Sequence, residues 1–452
     1  MKIAEDITEL IGNTPLVRLK RVVDGVKARM YAKLEFFNPG GSVKDRIAVT
    51  IIEDAERRGE LRPGGTIVEA TSGNTGVALA IAAAVRGYKV TCVMPDKMSN
   101  EKIQLLRAFG SRVIITPTAV APEDPRSYYS VAKRIVRETP GAFYANQYFN
   151  PQNPLAHYET TGPEIWEQTS GKVDVVVAGM GTGGTISGAA RFLKEKKPDV
   201  KVVGADPMGS IYYEYFKTGV IREPHVYKVE GIGEDFLPET MDFNYVDEVI
   251  RISDRESFLT ARRLAREEGI FAGGSSGTAV AAAIKYSRDL PADKTVVVIL
   301  PDSGYRYLSK MYSDDWMREN LFLEGLGRVK DVLAVKSPIK LITARTTDRV
   351  ADVIKEMKKY DISQIPVVDD GSLVGIITEV DLLNFMLEGE HNVNAPIADI
   401  VNREIAVVEG GTSLEVLSEI FSAGNVAIVV DKGQVVDIIT KIDLIDYLAS
   451  RS

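Results

Sequence analysis

The chain has 452 residues, 45% of them hydrophobic and 26% charged, with a net charge of −8. That length exceeds one ordinary core, so two or three domains are expected, and an acidic balance without clustered Lys and Arg argues against a nucleic-acid surface. No apolar run approaches the roughly 20 residues of a membrane span, and the start Met1-Lys2-Ile3-Ala4-Glu5-Asp6 lacks the pattern of a secretory leader, so a cytoplasmic protein without a membrane partner is expected.

Residues 1–320 alternate short β-branched runs with amphipathic helical stretches, the pattern of a largely parallel sheet covered by helices. The first distinctive stretch is Asn38-Pro39-Gly40-Gly41-Ser42-Val43-Lys44-Asp45-Arg46. It sets a lysine just after a two-glycine turn, where a helix-like run over 45–58 begins. Two glycines bend sharply, a helix start favours anions, and an amine whose charge is disfavoured becomes a nucleophile.

Residues 66–70 read as a strand and the alanine-rich 75–85 as the helix after it. Between them Thr71-Ser72-Gly73-Asn74-Thr75-Gly76 offers hydroxyls, an amide and backbone N–H groups, a set that suits a carboxylate. The next strand, 88–94, contains the single cysteine, Cys92, read as a buried thiol; one cysteine permits neither an intrachain disulfide nor a thiolate metal cluster. The three histidines, His157, His225 and His391, lack ligand spacing, so no metal site is expected.

Asn146-Gln147-Tyr148-Phe149-Asn150-Pro151 supplies amides and an aromatic ring. After the strand 173–178, Gly181-Thr182-Gly183-Gly184-Thr185 precedes a helix, and its backbone N–H groups form a phosphate cradle. It is neither a Walker loop, lacking Gly-Lys-Ser/Thr, nor the dinucleotide fingerprint, because the spacing of G-x-G-x-x-G fails. Strands over 201–205 and 295–300 follow, and Pro301-Asp302-Ser303-Gly304 closes the last of them. Ligands in open α/β sheets bind outside the carboxyl ends of strands. A reactive lysine, a carboxylate loop, a phosphate cradle and a neutral hydroxyl at such ends meet the requirements of a pyridoxal phosphate site.

Beyond Trp316 this pattern stops. Residues 320–336, with Gly325 and Gly327, read as a connector, and an internal repeat follows: residues 367–382 match 429–444 at a constant offset of 62, with ten of sixteen positions identical. Two copies are too few for a solenoid, so a closed pseudo-symmetric pair is expected.

In this order the stretches resemble the fold type II pyridoxal phosphate enzymes of the cysteine synthase and cystathionine β-synthase group, over essentially all of residues 1–320. The match is carried by Gly40-Gly41-Ser42-Val43-Lys44-Asp45-Arg46, Thr71 to Gly76, Val93-Met94-Pro95-Asp96-Lys97-Met98-Ser99, Asn153-Pro154-Leu155-Ala156-His157-Tyr158, Gly181 to Thr185 and Leu300-Pro301-Asp302-Ser303. The hydrophobic-Thr-x-x-Asp endings of the repeat resemble the tandem CBS-domain, or Bateman, regulatory module. The resemblance implies an α/β chain of two open twisted subdomains over 1–320, a linker over 321–336 and a CBS pair over 337–452.

It further implies that Lys44 bonds the cofactor, that Gly181, Thr182, Gly183, Gly184 and Thr185 hold its phosphate, that Asn74 meets the ring hydroxyl and that Ser303 faces the pyridine nitrogen. A serine there does not hold that nitrogen protonated, which biases the chemistry toward β-elimination over transamination. Thr71, Ser72, Asn74, Thr75 and Gln147 are expected to catch the substrate carboxylate, and Lys44 to move the α-proton. The implied reaction joins L-serine and L-homocysteine into L-cystathionine with loss of water. Sulfide with O-acetylserine or O-phosphoserine, as in cysteine synthases, is the alternative, and an adenosyl-nucleotide sensor with a degenerate catalytic domain is the alternative from another class.

Two departures from the family bear on this. Glu234, in Gly231-Ile232-Gly233-Glu234-Asp235-Phe236, stands where eukaryotic members have an aromatic residue, and the haem-binding extension is missing, so no haem is expected. In the repeats, Thr378 with Asp381 and Thr440 with Asp443 are expected to hold S-adenosylmethionine, AMP or ATP, or else simply to cap helices. Asp437 replaces Gly375 in the second copy, which is expected to hinder a ligand there. Family habit also implies a homo-oligomer, dimer or tetramer.

Overall fold

The structure, a computed structural model, describes residues 3–118, 120–121, 123–323, 327–336, 341–387, 392–422 and 426–450; His391 and Gly325 lie outside the described residues. The chain divides into two units, Met1–Phe322 and Leu323–Ser452. In the first unit the strands are, in chain order, β1 (Leu16–Arg18), β2 (Arg29–Leu34), β3 (Thr66–Ala70), β4 (Lys89–Pro95), β5 (Arg112–Thr116), β6 (Ala142–Tyr144), β7 (Val175–Gly179), β8 (Lys201–Pro207), β9 (Glu248–Ile252) and β10 (Thr295–Leu300). The central ones are continuous apolar runs because both faces are covered: all six residues of β10 are buried.

Two sheets result, ordered β1-β2-β10-β7-β8-β9 and β5-β4-β3-β6. Apart from β1, which runs antiparallel to β2, the pairings are parallel. In each sheet the chain steps outward and then returns to the other side of its starting strand. The order therefore reverses between β7 and β10 in one sheet and between β3 and β6 in the other. Such reversal points open a crevice at the strand ends. The loops after those four strands are Gly181–Thr185, Pro301–Ser303, Thr71–Gly76 and Asn146–Gln147, four of the stretches singled out from sequence.

The alanine-rich helix Asn74–Arg86 is apolar nearly all round, and its residues from Asn74 to Ala83 are buried, as a helix enclosed by other elements must be. It shares a core with Ile47, Ile51 and Ile52 of the helix Lys44–Arg57. Cys92 lies in the same core, and burial pushes its thiol up, leaving a packing role. Among the described residues no helix is long and apolar enough to cross a membrane.

In the second unit both repeats fold as antiparallel hairpins, Gln364–Asp369 with Ser372–Thr378 and Ala427–Asp431 with Gln434–Ile439. Each carries an irregularity at the equivalent step, Val367/Val368 and Val429/Val430. The connecting pairs Asp370-Gly371 and Lys432-Gly433 all have positive φ, the two-residue turn whose twist matches paired strands. Part of the stretch expected as a connector is folded: Val329–Val335 is a helix, with Val329 and Val332 buried against Leu414, Leu417 and Tyr447. The i, i+3 spacing of those valines is the signal that the two neighbouring glycines obscured.

The helix Gly184–Lys196 approaches the segment 152–161 so closely that a Cβ on Gly188 would lie 2.0 Å from the Pro154 carbonyl oxygen. Because the obstacle is backbone, G188A should lose about 1–3 kcal/mol, read as a lower urea midpoint at unchanged slope.

Candidate active site

Lys44 opens the helix Lys44–Arg57, and its position is set by the turn before it. Gly41 has φ +73°, and a Cβ on Gly40 would lie 2.5 Å from Asp45 Oδ1, so both glycines are required by geometry. The Gly41 N–H donates to Asn38 O at 2.8 Å, and the Val43 N–H donates to Pro301 O at 2.8 Å. Ser42 pairs with Asp302 as an isolated bridge. The lysine is thereby pinned to the end of β10.

A cavity of about 640 Å³ opens in front of Lys44, with Ser72, Gln147, Thr182, Glu234 and the rings of Tyr128, Tyr129, Tyr148 and Tyr227 in its wall. A small second cavity shares Lys44 and Thr182 and is lined by Gly181, Gly183 and Thr185. Of the residues expected from sequence, Lys44, Ser72, Gln147, Gly181, Thr182, Gly183 and Thr185 therefore meet around one space.

The others stand behind it. Thr75 Oγ1 donates to Gln147 Oε1 at 2.6 Å, fixing that amide. Thr71 Oγ1 accepts from the Gly73 N–H at 2.9 Å. Asn74 Nδ2 donates to Asp302 Oδ2 at 2.8 Å while its oxygen accepts from Arg306. Ser303 Oγ accepts from the Tyr305 N–H at 3.3 Å. Neither Asn74 nor Ser303 lines either cavity.

Several residues that hold the site carry no role in the sequence reading. Asn153 Nδ2 donates to Gln147 O at 2.8 Å and to Thr182 Oγ1 at 2.9 Å, joining two of the loops. Buried His157 lies 2.9 Å from Thr161 Oγ1 through Nδ1 and 3.1 Å from Thr185 Oγ1 through Nε2. Burial, with Arg46 and Lys44 nearby, pushes that imidazole well down, so it is neutral and orients Thr185. Thr240 Oγ1 donates to Thr182 O and, at 3.1 Å, to Tyr148 O. The Asn153 to Tyr158 stretch was the available signal, but His157 was weighed there only as a metal ligand.

Burial lowers the Lys44 amine from 10.5 to about 8, against the opposing pull of Glu234 and Asp302. Its place in the first turn of a helix also disfavours a cation. Glu69, buried beneath the Asn146–Gln147 turn, is pushed up by burial to about 8 and accepts from the Asn146 N–H at 2.7 Å.

Residues 7–302 match the family described as "Pyridoxal-phosphate dependent enzyme". The chain belongs to this family. Residues 329–388 and 397–450 each match the CBS domain. Among curated relatives, the cystathionine β-synthase of Oryctolagus cuniculus is 42% identical across 100% of this chain and 86% of its own length. That of Saccharomyces cerevisiae is 37% identical over 98% of each. A solved hydrogen sulfide-producing enzyme of Fusobacterium nucleatum is 39% identical with a TM-score of 0.63, covering 68% of this chain and 100% of its own. O-ureido-L-serine synthase bound to O-ureido-L-serine gives 37% and 0.64, over 71% and 99%.

The cradle fits the phosphate of the family's cofactor. No carboxylate lines the small cavity, and it sits at the start of the thirteen-residue helix Gly184–Lys196, whose free N–H groups and dipole favour an anion. Side chains are excluded from the loop: a Cβ would lie 2.8 Å from Gly231 O at Gly181, 2.5 Å from Met241 at Gly183 and 1.9 Å from Asn153 Oδ1 at Gly184.

In the second unit Thr378 and Thr440 act alike. Each hydroxyl donates at 2.7 Å and each N–H at 2.8 Å to Oδ2 of Asp381 or Asp443, so both pairs cap helices. The close approach at Gly375 is to protein: a Cβ there would meet Asn402 O at 2.4 Å. In the second repeat Asp437 Oδ1 accepts from Lys336 Nζ at 2.9 Å, and that ammonium lies 3.6 Å from Asp443.

A Lys44 amine at about 8 implies a testable reactivity. Below that pH its neutral fraction rises about ten-fold per unit, so reductive labelling of the apoprotein with an aldehyde and borohydride, read at the Lys44 peptide by mass spectrometry, should climb to pH 8 and then level. Exposed lysines should keep climbing toward 10.

Proposed function

We propose that the chain joins L-serine to L-homocysteine, giving L-cystathionine and water. The observation that carries this reading is similarity along essentially the whole chain, both CBS domains included, to relatives of that activity, together with a lysine amine held near neutrality at the meeting point of four strand ends. Lys44 would hold pyridoxal phosphate covalently, Gly181 to Thr185 its phosphate, and Asn74 and Ser303 its ring. Ser303 Oγ accepts from the Tyr305 N–H and keeps its own proton for the ring, and Asn74 Nδ2 keeps a second N–H beyond the one given to Asp302. When bound, the cofactor supplies an electron sink for the charge that develops at the substrate α-carbon.

The chain's own residues do the rest. Ser72 and the Gln147 amide face the cavity and receive the serine carboxylate, with Thr75 orienting Gln147 and Thr71 and Asn74 shaping the loop around it. Lys44 Nζ, neutral in part near pH 8, takes the α-proton and returns a proton to the departing hydroxyl. The thiol sulfur then adds at the β-carbon while Lys44 Nζ takes the thiol proton and returns a proton to the α-carbon, in a cavity walled in part by tyrosine rings.

The adenosyl ligand is proposed for the second unit, at Thr378 with Asp381 and Thr440 with Asp443, S-adenosylmethionine suiting the chemistry and AMP or ATP making the same ribose contacts. The proposed setting is a cytoplasmic homo-oligomer.

K44A should abolish the visible absorbance of the cofactor-loaded protein and lower turnover by at least 10³-fold, as expected when a nucleophile and base is removed. The reaction itself is tested by serine, O-acetylserine and O-phosphoserine, each against homocysteine and sulfide; preference for O-acetylserine with sulfide would overturn the reading in favour of a cysteine synthase. Protein that stays colourless with added pyridoxal phosphate would favour a sensor. For the second unit, melting of the full chain with each adenosyl compound should rise with one of them, and the rise should shrink in D381A. No shift with any would overturn the ligand proposal.

A further inference from the structure

The 640 Å³ cavity in front of Lys44 is larger than serine needs, and of its lining residues Lys97, Glu123, Glu223, Glu234 and Asp235 carry charges to which the chemistry above gives no work. Of its lining residues only Lys44 and Lys97 bear an ammonium. The backbone of Lys97 is fixed, its N–H donating to Thr118 Oγ1 at 3.2 Å and its carbonyl accepting from Lys310 at 2.5 Å. The ammonium itself has, among the described residues, no ion pair, and lies 4.8 Å from the centre of the Tyr227 ring. Glu234 is fixed in the same way: its N–H donates to Ser210 Oγ at 3.2 Å, while its carboxylate is met by the Tyr129 hydroxyl at 3.4 Å. The backbone thus sets both residues, and their charged ends are left facing the cavity.

We infer that Lys97 and Glu234 form a clamp for the zwitterionic end of the second substrate, Lys97 receiving its α-carboxylate and Glu234 its α-ammonium, so that an amino-acid thiol is selected over sulfide. This rests on the β-replacement reading of the same site. Sulfide needs no partner for either charge. A cavity built only for it would keep a half-buried lysine and a half-buried glutamate that, among the described residues, have no ion-pair partner and are offset only by each other and by more distant charges, an arrangement that disfavours folding. A bound zwitterion neutralises both at once. Burial pushes the Glu234 carboxyl well up, with Asp235 adding to it, and Lys97 and Lys44 pull it down; an incoming ammonium acts in the same direction as those lysines and draws out the carboxylate form. The roles divide cleanly, because Lys44 is committed to the cofactor and the α-proton, leaving Lys97 as the ammonium available to a second carboxylate.

The test uses the cofactor-loaded full chain, serine as first substrate and three thiols: homocysteine, 4-mercaptobutyrate, which lacks the ammonium, and 3-mercaptopropylamine, which lacks the carboxylate. K97M should lower kcat/KM for homocysteine and 4-mercaptobutyrate by about ten-fold or more, mainly through KM, and 3-mercaptopropylamine by less than two-fold; E234Q should reverse the pattern of the two analogues. K97R and E234D should recover part of the loss, which a variant that merely misfolds would not. Equal losses for all three thiols, or none, would overturn the clamp while wild-type cystathionine formation leaves the proposed function standing. If wild type fails to couple homocysteine to serine at all, the proposed function falls, and the clamp with it.

Discussion

An ammonium taken out of water needs an opposite charge beside it, and Lys44 is given none within ion-pair distance among the described residues. What it has instead is the more distant influence of Glu234 and Asp302, a position at the start of a helix where cations are disfavoured, and burial that disfavours its charge. The balance shifts toward the neutral, reactive amine, with the ammonium still the larger fraction at neutral pH for a group lowered to about 8. The rest of the first unit can be understood as what is needed to keep it so. Ser42 and Val43 are stitched to Asp302 and Pro301, so the backbone that carries Lys44 is held at the end of β10. The helix behind it is locked by its neighbour Arg46, which binds Glu35 at 2.7 Å and Glu164 at 2.7 Å, while Lys33 meets Glu164 at 2.6 Å. Buried pairs of this kind contribute little net stability, and breaking one is expensive. Their effect here is to fix where the helix begins.

The same division of labour runs through the loops. Groups that face the cavity are held by others that do not: Gln147 is set by Thr75 and, through its backbone, by Asn153 and Glu69; Thr182 by Asn153 and Thr240; Thr185 by His157. A cofactor phosphate and a substrate carboxylate are small anions recognised by a few donors, so an error of an ångström in the donor positions costs binding and rate together. Asn153 stands out because its Nδ2 spans two loops while its Oδ1 is buried without a hydrogen-bond partner among the described residues. One residue therefore couples the turn after β6 to the phosphate cradle.

The parallel sheets, the loops at their carboxyl ends and the hairpin repeat were legible because each leaves a local mark: β-branched runs, glycines where φ must be positive, and an offset of 62. The pairing of strands was not, since the return of β10 to lie between β2 and β7, and of β6 beside β3, joins residues more than a hundred and tens of positions apart. Those returns create both crevices. Asn74 and Ser303 illustrate the remaining gap. Their types and positions were readable, but Arg306 and Asp302, which hold Asn74, and the Tyr305 N–H, which holds Ser303, belong to a hydrogen-bond network with no sequence period. The helix Val329–Val335 shows the opposite failure: an apolar spacing was present and outweighed by nearby glycines.

The second unit shows how near-identical sequence can diverge in chemistry. Both Thr-x-x-Asp pairs make the same reciprocal cap, with matching distances, so local geometry alone makes them equivalent. Their surroundings differ at six of the sixteen aligned positions, among them Glu379 against Lys441 within the motif and Gly375 against Asp437 beside it. Gly375 has no side chain because the Asn402 backbone lies against it, with Ile376 and Asn402 bridged. Asp437 has one and uses it to hold Lys336, which brings an ammonium to 3.6 Å from Asp443. Asp381 has, among the described residues, no such ion pair. A ligand approaching the first pair meets a carboxylate by itself, and one approaching the second meets a carboxylate already shared with a cation. The substitution therefore alters charge more than room, and charge is what separates adenosyl compounds carrying phosphates from those carrying a sulfonium.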